Sequence, residues 1–369
     1  MDMVEWKKLS EVFEIKNGYT PSKNVPGYWD NGTIPWFRME DIRLNGGILS
    51  DSIQHITPAA IKSSGLFPEN TIIVATTATI GEHALVIVDS LANQQFTALT
   101  CCKSLTQSVL PRFAYYYCFK LDDWCKNHIR KGGFASVDME GFKKYPFPIP
   151  SLSEQNRIVD ILDTFTASIG NLKEQIALRR KQYEYYRDHL LDLEGKEGVE
   201  MKKLGEVTTV LRGKRLTKNM LEDDAPYPVF HGGVEPLGFY RQYNREANSV
   251  MVINVGASAG TVGYCDRQFW SSDGCFCVSH SKFINNKFLY YYLETKTHYL
   301  QSQVRHAGIP TLDNPVVEKV NIPLLPLQEQ QRIVSILDTF EASIQNLEAQ
   351  LSQREKQYEY YRNKLLTFE

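Results

Sequence analysis

The chain lacks any long apolar run. Its longest aliphatic stretches, such as Thr71-Ile72-Ile73-Val74-Ala75, are strand-sized, far below the ~20 residues that a membrane span needs. The start, Met1-Asp2-Met3-Val4-Glu5-Trp6-Lys7-Lys8, has no apolar core of the secretory kind. A cytoplasmic protein is the expectation. Cysteine offers no framework either. There are seven, an odd number, at Cys101-Cys102, Cys118, Cys125, Cys265 and Cys275-x-Cys277. No C-x-x-C pair occurs, which excludes the common zinc spacings and leaves reduced, mostly buried thiols.

Charge of one sign is also missing. The 41 basic and 43 acidic residues leave a net charge of -2, which does not advertise a nucleic-acid binder. The average hides a split: residues 199–325 come to about +2, residues 1–150 to about zero, and each connecting segment to about -2. Whole-chain charge is therefore a poor guide to what the larger segments bind.

Signatures of catalysis are absent. Gly213-Lys214-Arg215 lacks the rest of a phosphate-binding loop. Gly256-Ala257-Ser258-Ala259-Gly260-Thr261-Val262-Gly263 misses the dinucleotide spacing and reads as a tight turn. Its counterpart, Thr76-Thr77-Ala78-Thr79-Ile80-Gly81, keeps only the last glycine. None of the eight histidines has a metal-ligand spacing such as H-E-x-x-H. Asp313-Asn314-Pro315-Val316 fails the Asn/Asp-Pro-Pro-aromatic motif of DNA amino-methyltransferases. No helicase or nuclease motif is visible, so no catalytic residue, metal or cofactor is expected on this chain.

What is present is a folded composition, 43% hydrophobic and 23% charged over 369 residues, enough for two domains and additions. It is also a tandem repeat. Leu152-Ser153-Glu154-Gln155-Asn156-Arg157-Ile158-Val159 recurs as Leu327-Gln328-Glu329-Gln330-Gln331-Arg332-Ile333-Val334. The likeness runs on to Lys181-Gln182-Tyr183-Glu184-Tyr185-Tyr186-Arg187 and Lys356-Gln357-Tyr358-Glu359-Tyr360-Tyr361-Arg362, with about 27 of 42 positions identical. At the same offset Tyr115-Tyr116-Tyr117 matches Tyr290-Tyr291-Tyr292, while the middles of the larger segments barely agree. Four segments result: 1–150, 151–198, 199–325 and 326–369. A period this long marks a duplicated unit.

Segments 151–198 and 326–369 each read as one helix of about 40 residues, roughly 60 Å long. Pro148 and Pro150 stop the preceding structure, and Ser151 or Ser153 can cap the first helix. Apolar residues follow a heptad seam at Ile158, Leu162, Phe165, Ile169, Leu172, Ile176, Tyr183, Tyr186 and Leu190. The repeat gives Ile333, Leu337, Phe340, Ile344, Leu347, Leu351, Tyr358, Tyr361 and Leu365. Neither stripe can be hidden alone, so each helix is the other's partner. Arg179 and Arg354 interrupt the seam. Parallel pairing would set the two arginines face to face, whereas flush antiparallel pairing places Arg179 near Ile344 and Arg354 near Ile169. Antiparallel helices, a pseudo-twofold axis and a domain at each end of a rod are expected.

The larger segments read as mixed α/β. Strands are expected at Phe13-Glu14-Ile15, Thr71 to Ala75, Ala84 to Val88, Ser249 to Val255 and Phe276-Cys277-Val278, and helices at the tyrosine triplets. Polar, aromatic and basic residues gather in loops at corresponding places of both halves. In the first half they are Lys16-Asn17-Gly18-Tyr19-Thr20-Pro21-Ser22-Lys23, Trp36-Phe37-Arg38, Arg43, Thr76-Thr77, Asn93-Gln94-Gln95 and Arg130-Lys131. In the second they are Arg212, Lys214, Arg215, Lys218, His231, Arg241, Tyr243, Arg245, Ser258 and Arg305-His306. Arginine and lysine serve phosphates or guanine edges, asparagine and glutamine serve adenine edges, and hydroxyls serve the backbone. On the exposed helix faces Arg157, Lys173, Arg332 and Glu348 are candidates for a partner surface.

The order variable–helix–variable–helix resembles the specificity subunit of type I restriction-modification enzymes. The resemblance rests on Pro-x-Pro-x-Leu-x-Glu-Gln-x-Arg-Ile-Val-x-x-Leu-Asp at Pro148 to Asp163, its partial copy at Pro323 to Asp338, and Gly18-Tyr19-Thr20-Pro21-Ser22. The family pattern often has Pro-Pro-Leu before Glu-Gln. Here Ser151 stands in place of the second proline, and Leu325-Pro326 appears in the copy. The resemblance implies two target recognition domains, each reading one half of a split double-stranded DNA sequence, with the helices fixing the gap. It implies no catalysis by this chain. Two modification subunits would methylate adenine with S-adenosylmethionine, and two restriction subunits driven by ATP and Mg can join them. The competing expectations are a stand-alone regulator that binds a gapped site, a coiled-coil scaffold, and an enzyme with a cryptic site. A neighbouring methyltransferase separates the first reading from all three.

Overall fold

The computed structural model describes residues 4–130 and 135–368. Its contacts divide the chain into two compact units, Met1–Asn171 with Leu351–Glu369, and Leu172–Gln350. The division cuts through both long helices, Leu152–Leu191 and Leu327–Leu365. Each unit thus holds one mixed domain, the beginning of the helix that follows that domain, and part of the other long helix.

The first unit is built around a run that alternation alone would not reveal. Thr71–Ala75 is buried at every position. Ile72 and Val74 face one apolar core, while Ile73 and Ala75 face another, as expected when successive side chains leave a strand on opposite sides and both faces are covered. This strand is central in a five-stranded sheet ordered Phe13–Asn17, Phe96–Cys101, Thr71–Ala75, His83–Val86, Ile48–Leu49. One face is covered by helix Pro111–Asn127, which buries Phe113, Tyr116 and Tyr117 in the shared core. A small sheet ordered His55–Ile56, Ile34–Phe37, Leu91–Ala92 shares the other core through Ile56, Trp36, Phe37, Leu91 and Ala92.

The second unit repeats the plan. Ser249–Ile253 is buried throughout; Val250 and Val252 face the helix-side core, and Met251 and Ile253 face the other. Its sheet runs Val210–Leu211, Cys275–Val278, Ser249–Ile253, Val262–Cys265, beside a small sheet Gly238–Tyr240, Tyr227–Phe230, Trp270–Ser271. Helix Asn286–Thr295 carries the second tyrosine triplet. The glycine-rich stretch is a tight turn: Gly260 N donates to Ile253 O at 2.7 Å, and Gly256 and Gly260 both have φ of 89°. A Cβ on Gly260 would also meet the Gln301 main chain at 2.8 Å. All seven cysteines are free thiols. Among the described residues no helix is long and apolar enough to cross a membrane.

In both units an antiparallel ribbon joins the start of the domain to the strand that leads into the long helix: Glu5–Lys8 with Pro146–Ile149, and Glu200–Lys203 with Asn321–Leu324. Ser151 Oγ then accepts from Glu154 N at 3.4 Å.

The long helices run antiparallel within each unit. In the first, Phe165 stacks on Tyr361 at 5.5 Å between centroids; in the second, Tyr186 stacks on Phe340 at 5.3 Å. The two pairs are the same pair under the repeat. Arg179 lies over the Phe340 ring at 5.8 Å and Arg354 over Phe165 at 5.7 Å. Both are one turn from the isoleucines expected to face them, because a long guanidinium stem can reach an aromatic face and gain a cation–π contact. The ends of the seam belong to the domains as well. Ile158 and Leu162 are fully buried in the first helix-side core, and Ile333 and Leu337 in the second. Tyr358 and Leu365 pack on the first core and Tyr183 and Leu190 on the second.

Candidate nucleic-acid interface

In the first unit the site grows from a parallel strand pair. Ile34–Phe37 runs beside Leu91–Ala92 with Phe37 opposite Ala92, and Asn93 N donates to Phe37 O at 3.0 Å. The two strands end together, so Arg38 leaves one and Asn93-Gln94-Gln95 leaves the other at the same corner. The loop after Phe13–Asn17 is drawn onto it. Tyr19 N donates to Ala92 O at 2.9 Å, and Trp36 Nε1 donates to Tyr19 O at 3.0 Å. A Cβ at Gly18 would lie 2.2 Å from Asn93 O, so the approach requires glycine.

The corner opens as a polar cleft of about 470 Å³ lined by Thr20, Lys23, Trp36, Arg38, Met39, Glu40, Arg43, Thr79, Asn93, Gln94 and Gln95. Eight residues expected from the sequence meet here: Thr20, Lys23, Trp36, Arg38, Arg43, Asn93, Gln94 and Gln95. Trp36 is buried and forms the floor. Thr20 Oγ1 donates to Gln94 Oε1 at 2.5 Å, and Asn93 Nδ2 donates to Gln95 Oε1 at 3.2 Å. Arg38 Nε is buried without a hydrogen-bond partner; the Glu40 carboxylate stands 3.6 Å away.

The second unit makes the same corner from other side chains. Tyr227–Phe230 runs parallel to Trp270–Ser271, with Phe230 opposite Ser271. Ser272 N donates to Phe230 O, Lys214 N to Ser271 O, and Trp270 Nε1 to Lys214 O, at 2.9, 2.9 and 2.8 Å. Asn254 N donates to Gly274 O as Thr76 N does to Gln95 O. These bonds set Phe230 in the place of Phe37, His231 in that of Arg38, and Ser272-Asp273-Gly274 in that of Asn93-Gln94-Gln95. His231 Nδ1 accepts from Gly274 N at 3.2 Å and lies 3.2 Å from Asp273 Oδ1.

Other candidates take different places. Lys16 pairs with Glu14 at 3.5 Å and lines a separate cavity. Asn17 and Thr76 belong to an internal ladder, in which Thr97 Oγ1 donates to Asn17 Oδ1 at 3.0 Å and lies 2.8 Å from Thr76 Oγ1. Tyr19 accepts from Lys62 N and donates to Ala60 O, so its hydroxyl serves the fold. Ser22 is exposed, and Thr77 is bridged to Ser136. Arg130 pairs with Asp138 at 2.9 Å and Arg305 with Asp313 at 2.7 Å, the same ion pair in both halves. The Arg130 guanidinium holds the Asp138 carboxyl below the usual carboxylate range. Lys131 lies outside the described residues.

In the second half Arg245 is a clamp, donating to Arg212 O at 2.6 Å and Asn244 O at 2.7 Å. Arg212 reaches over the Phe276 ring, Arg241 stands 3.8 Å from Glu222, and Tyr243 packs on Tyr227. Lys214, Arg215, Lys218 and His306 are exposed, and Ser258 is half-buried in the glycine-rich turn. Among the described residues no cluster of three or more histidine, cysteine or acidic side chains could hold a metal.

The helix motif proves to be an anchor. Gln155 is fully buried; its Oε1 accepts from Leu110 N, and its Nε2 donates to Ser108 O and Pro150 O. Gln330 does the same with Asn285 N, Phe283 O and Leu325 O. Asp163 accepts from Tyr116 and Arg112, and Asp338 accepts from Tyr291 at 2.6 Å. The duplicated Glu-Gln and Leu-Asp were the signal for these roles. Asp273 had no such signal, since nothing in its neighbourhood repeats. On the exposed faces, Arg157 and Arg332 pair with Glu154 and Glu329 and hold those carboxyls below the usual range. Lys173 is exposed, and Glu348 binds Arg180 of the opposing helix at 2.5 Å.

The family model of the type I restriction modification DNA specificity domain matches residues 1–178 and 196–355. The chain is 38% identical over 358 residues to the type I restriction enzyme EcoprrI specificity subunit of Escherichia coli, covering 92% of this chain and 88% of that one. It is 34% identical over 209 residues to the EcoR124I/EcoR124II specificity subunit of the same species, covering 53% and 50%. Among solved structures, the type I S subunit from M. genitalium superposes with a TM-score of 0.66 at 17% identity, over 100% of this chain and 97% of that one. The HsdS subunit from Thermoanaerobacter tengcongensis gives 0.54 at 19%, over 98% and 96%.

Proposed function

The chain belongs to the DNA specificity family of type I restriction-modification systems, and on that premise we propose that it reads a split, double-stranded DNA target with one domain per block. It catalyses nothing itself. Two modification subunits carry S-adenosylmethionine and methylate adenine within the target, and two restriction subunits supply ATP- and Mg-dependent cleavage. The target adenine leaves the stack to reach the modification subunit's site, as base-modifying enzymes require.

The observation that carries this reading is the contrast between support and corner. The Gln155 and Gln330 anchors are the same to the atom, which suits two copies of one partner on equivalent surfaces. The corners keep their main-chain bonds and exchange their side chains, which suits two different blocks of sequence. The gap between the blocks is set by the paired helices. The test is the adenine methylome of a host carrying this chain with its modification subunit, compared with the modification subunit alone. Two short blocks with a fixed gap support the reading. An active, assembled complex that adds no such motif refutes it in favour of the regulator or the scaffold.

A further inference from the structure

The corner where Arg38 and His231 stand in equivalent places carries an inference that rests on the split-target reading. We propose that it is the base-reading station of both domains, and that Arg38 with Gln94 in the first, and Asp273 with His231 in the second, decide which base edge each accepts.

The chemistry of the two stations is opposed. Arg38 offers only donors, and its buried Nε has no hydrogen-bond partner, with the Glu40 carboxylate standing 3.6 Å away. Gln94 has its oxygen taken by the Thr20 hydroxyl, which leaves its NH2 as the group it can offer. The Arg38 guanidinium and the Gln94 NH2, beside the Glu40 carboxylate that lines the same cleft, suit the two acceptors of guanine, O6 and N7, in the major groove. In the second station a carboxylate is exposed beside the exposed His231 imidazole. Asp273 Oδ1 accepts from the Ser272 hydroxyl at 3.0 Å, which leaves Oδ2 to accept. An acceptor there selects an exocyclic amino group, on cytosine or adenine, and disfavours guanine's acceptor pair.

The supporting residues are matched to their station. A Cβ at Gly274 would stand 2.6 Å from Val255 Cγ1 and 2.8 Å from His231 Nδ1, so the Val255 and His231 side chains as placed leave room only for glycine there. The first domain, with arginine, carries Gln95 at that place. Main-chain geometry is common to both stations, so a change of station is a change of side chains and need not disturb the fold.

The test uses the full chain with its modification subunit and reads the methylated sequences genome-wide. Asp273→Asn, which adds a donor to the acceptor, is expected to shift the base preference about tenfold or more at one position of one block and to leave the other block unchanged. Arg38→Lys keeps the charge and loses the planar fork. It is expected to relax a guanine position in the other block. The proposal is overturned if Arg38→Lys leaves the motif intact, or if either variant lowers methylation evenly at all sites, because both results describe a phosphate contact. A wild-type methylome without any split motif fails the underlying reading and is recognised before either variant is made.

Discussion

The two halves differ most at the outward-facing corner and agree most at the glutamine anchors and stacked rings where each domain meets the helices. Around Gln155 and Gln330 the same amide makes the same three bonds to main chain. Around Phe165–Tyr361 and Tyr186–Phe340 the same rings stack in the same way. At the corner, guanidinium and amide in one half become imidazole and carboxylate in the other. The main-chain bonds of the corner and the glutamine anchors are kept, while the side chains that the corner presents are exchanged.

The anchors offer the largest way to break that comparison. Gln155→Leu strands a buried N–H and two carbonyls and should cost about 3–5 kcal/mol, since each unsatisfied buried group costs roughly 1–3 kcal/mol. Gln330→Leu should cost the same within error in denaturant unfolding. A large inequality would mean that the anchors are alike in geometry only.

Next come the tyrosines. Tyr116→Phe and Tyr291→Phe each remove a hydroxyl from a carboxylate, worth about 1.5–3 kcal/mol. The second should cost more. Asp163 retains a hydrogen-bond donor in Arg112, whereas Asp338 retains the longer ion pair with Lys287, 3.8 Å away. Thermal melts of the two variants decide it.

The helix pair gives a smaller effect. Arg180→Glu sets two carboxylates together at the Glu348 position and should destabilise by about 1 kcal/mol or less, the range of exposed pairs. Adding Glu348→Arg should restore the loss, and high salt should erase it.

The smallest effect is a pH dependence confined to one half. Glu294, which burial pushes above the usual glutamate range, occupies the place that Phe119 holds in the first half. There Arg362 lies 4.3 Å from the Phe119 ring; here Arg187 stands 4.0 Å from the Glu294 carboxylate. Because the folded-state pKa is raised, the favourable contribution is complete below the ordinary glutamate value and is lost as pH rises through the raised one. Glu294→Phe should therefore flatten the decline in melting temperature over that window. An unchanged profile would show that another group titrates.

Much of this was legible in the residues. The repeat, the antiparallel helices and the tyrosine helices follow from spacing and from the cost of facing arginines. Thr71–Ala75 was visible as a strand because an apolar run of that length fits a doubly covered one. The one-turn displacement of Arg179 and Arg354 was not legible, because a heptad fixes which residues line the seam and leaves the reach of a long side chain open. Nor was the corner. Arg38 and Gln94 are 56 residues apart and meet only through a parallel strand pair, and parallel pairing leaves no local turn signal. Asn17, Thr76, Tyr19 and Arg245 stand out in the sequence as polar residues, yet the hydrogen bonds they make hold the fold itself.

The most direct test of the division between shared support and separate readers is an exchange of residues 1–150 for the corresponding domain of a relative with a different target, followed by the methylome. One block of the recognised sequence should change, with the other block and the gap retained. Loss of both blocks, or a change in the block read by residues 199–325, would contradict it.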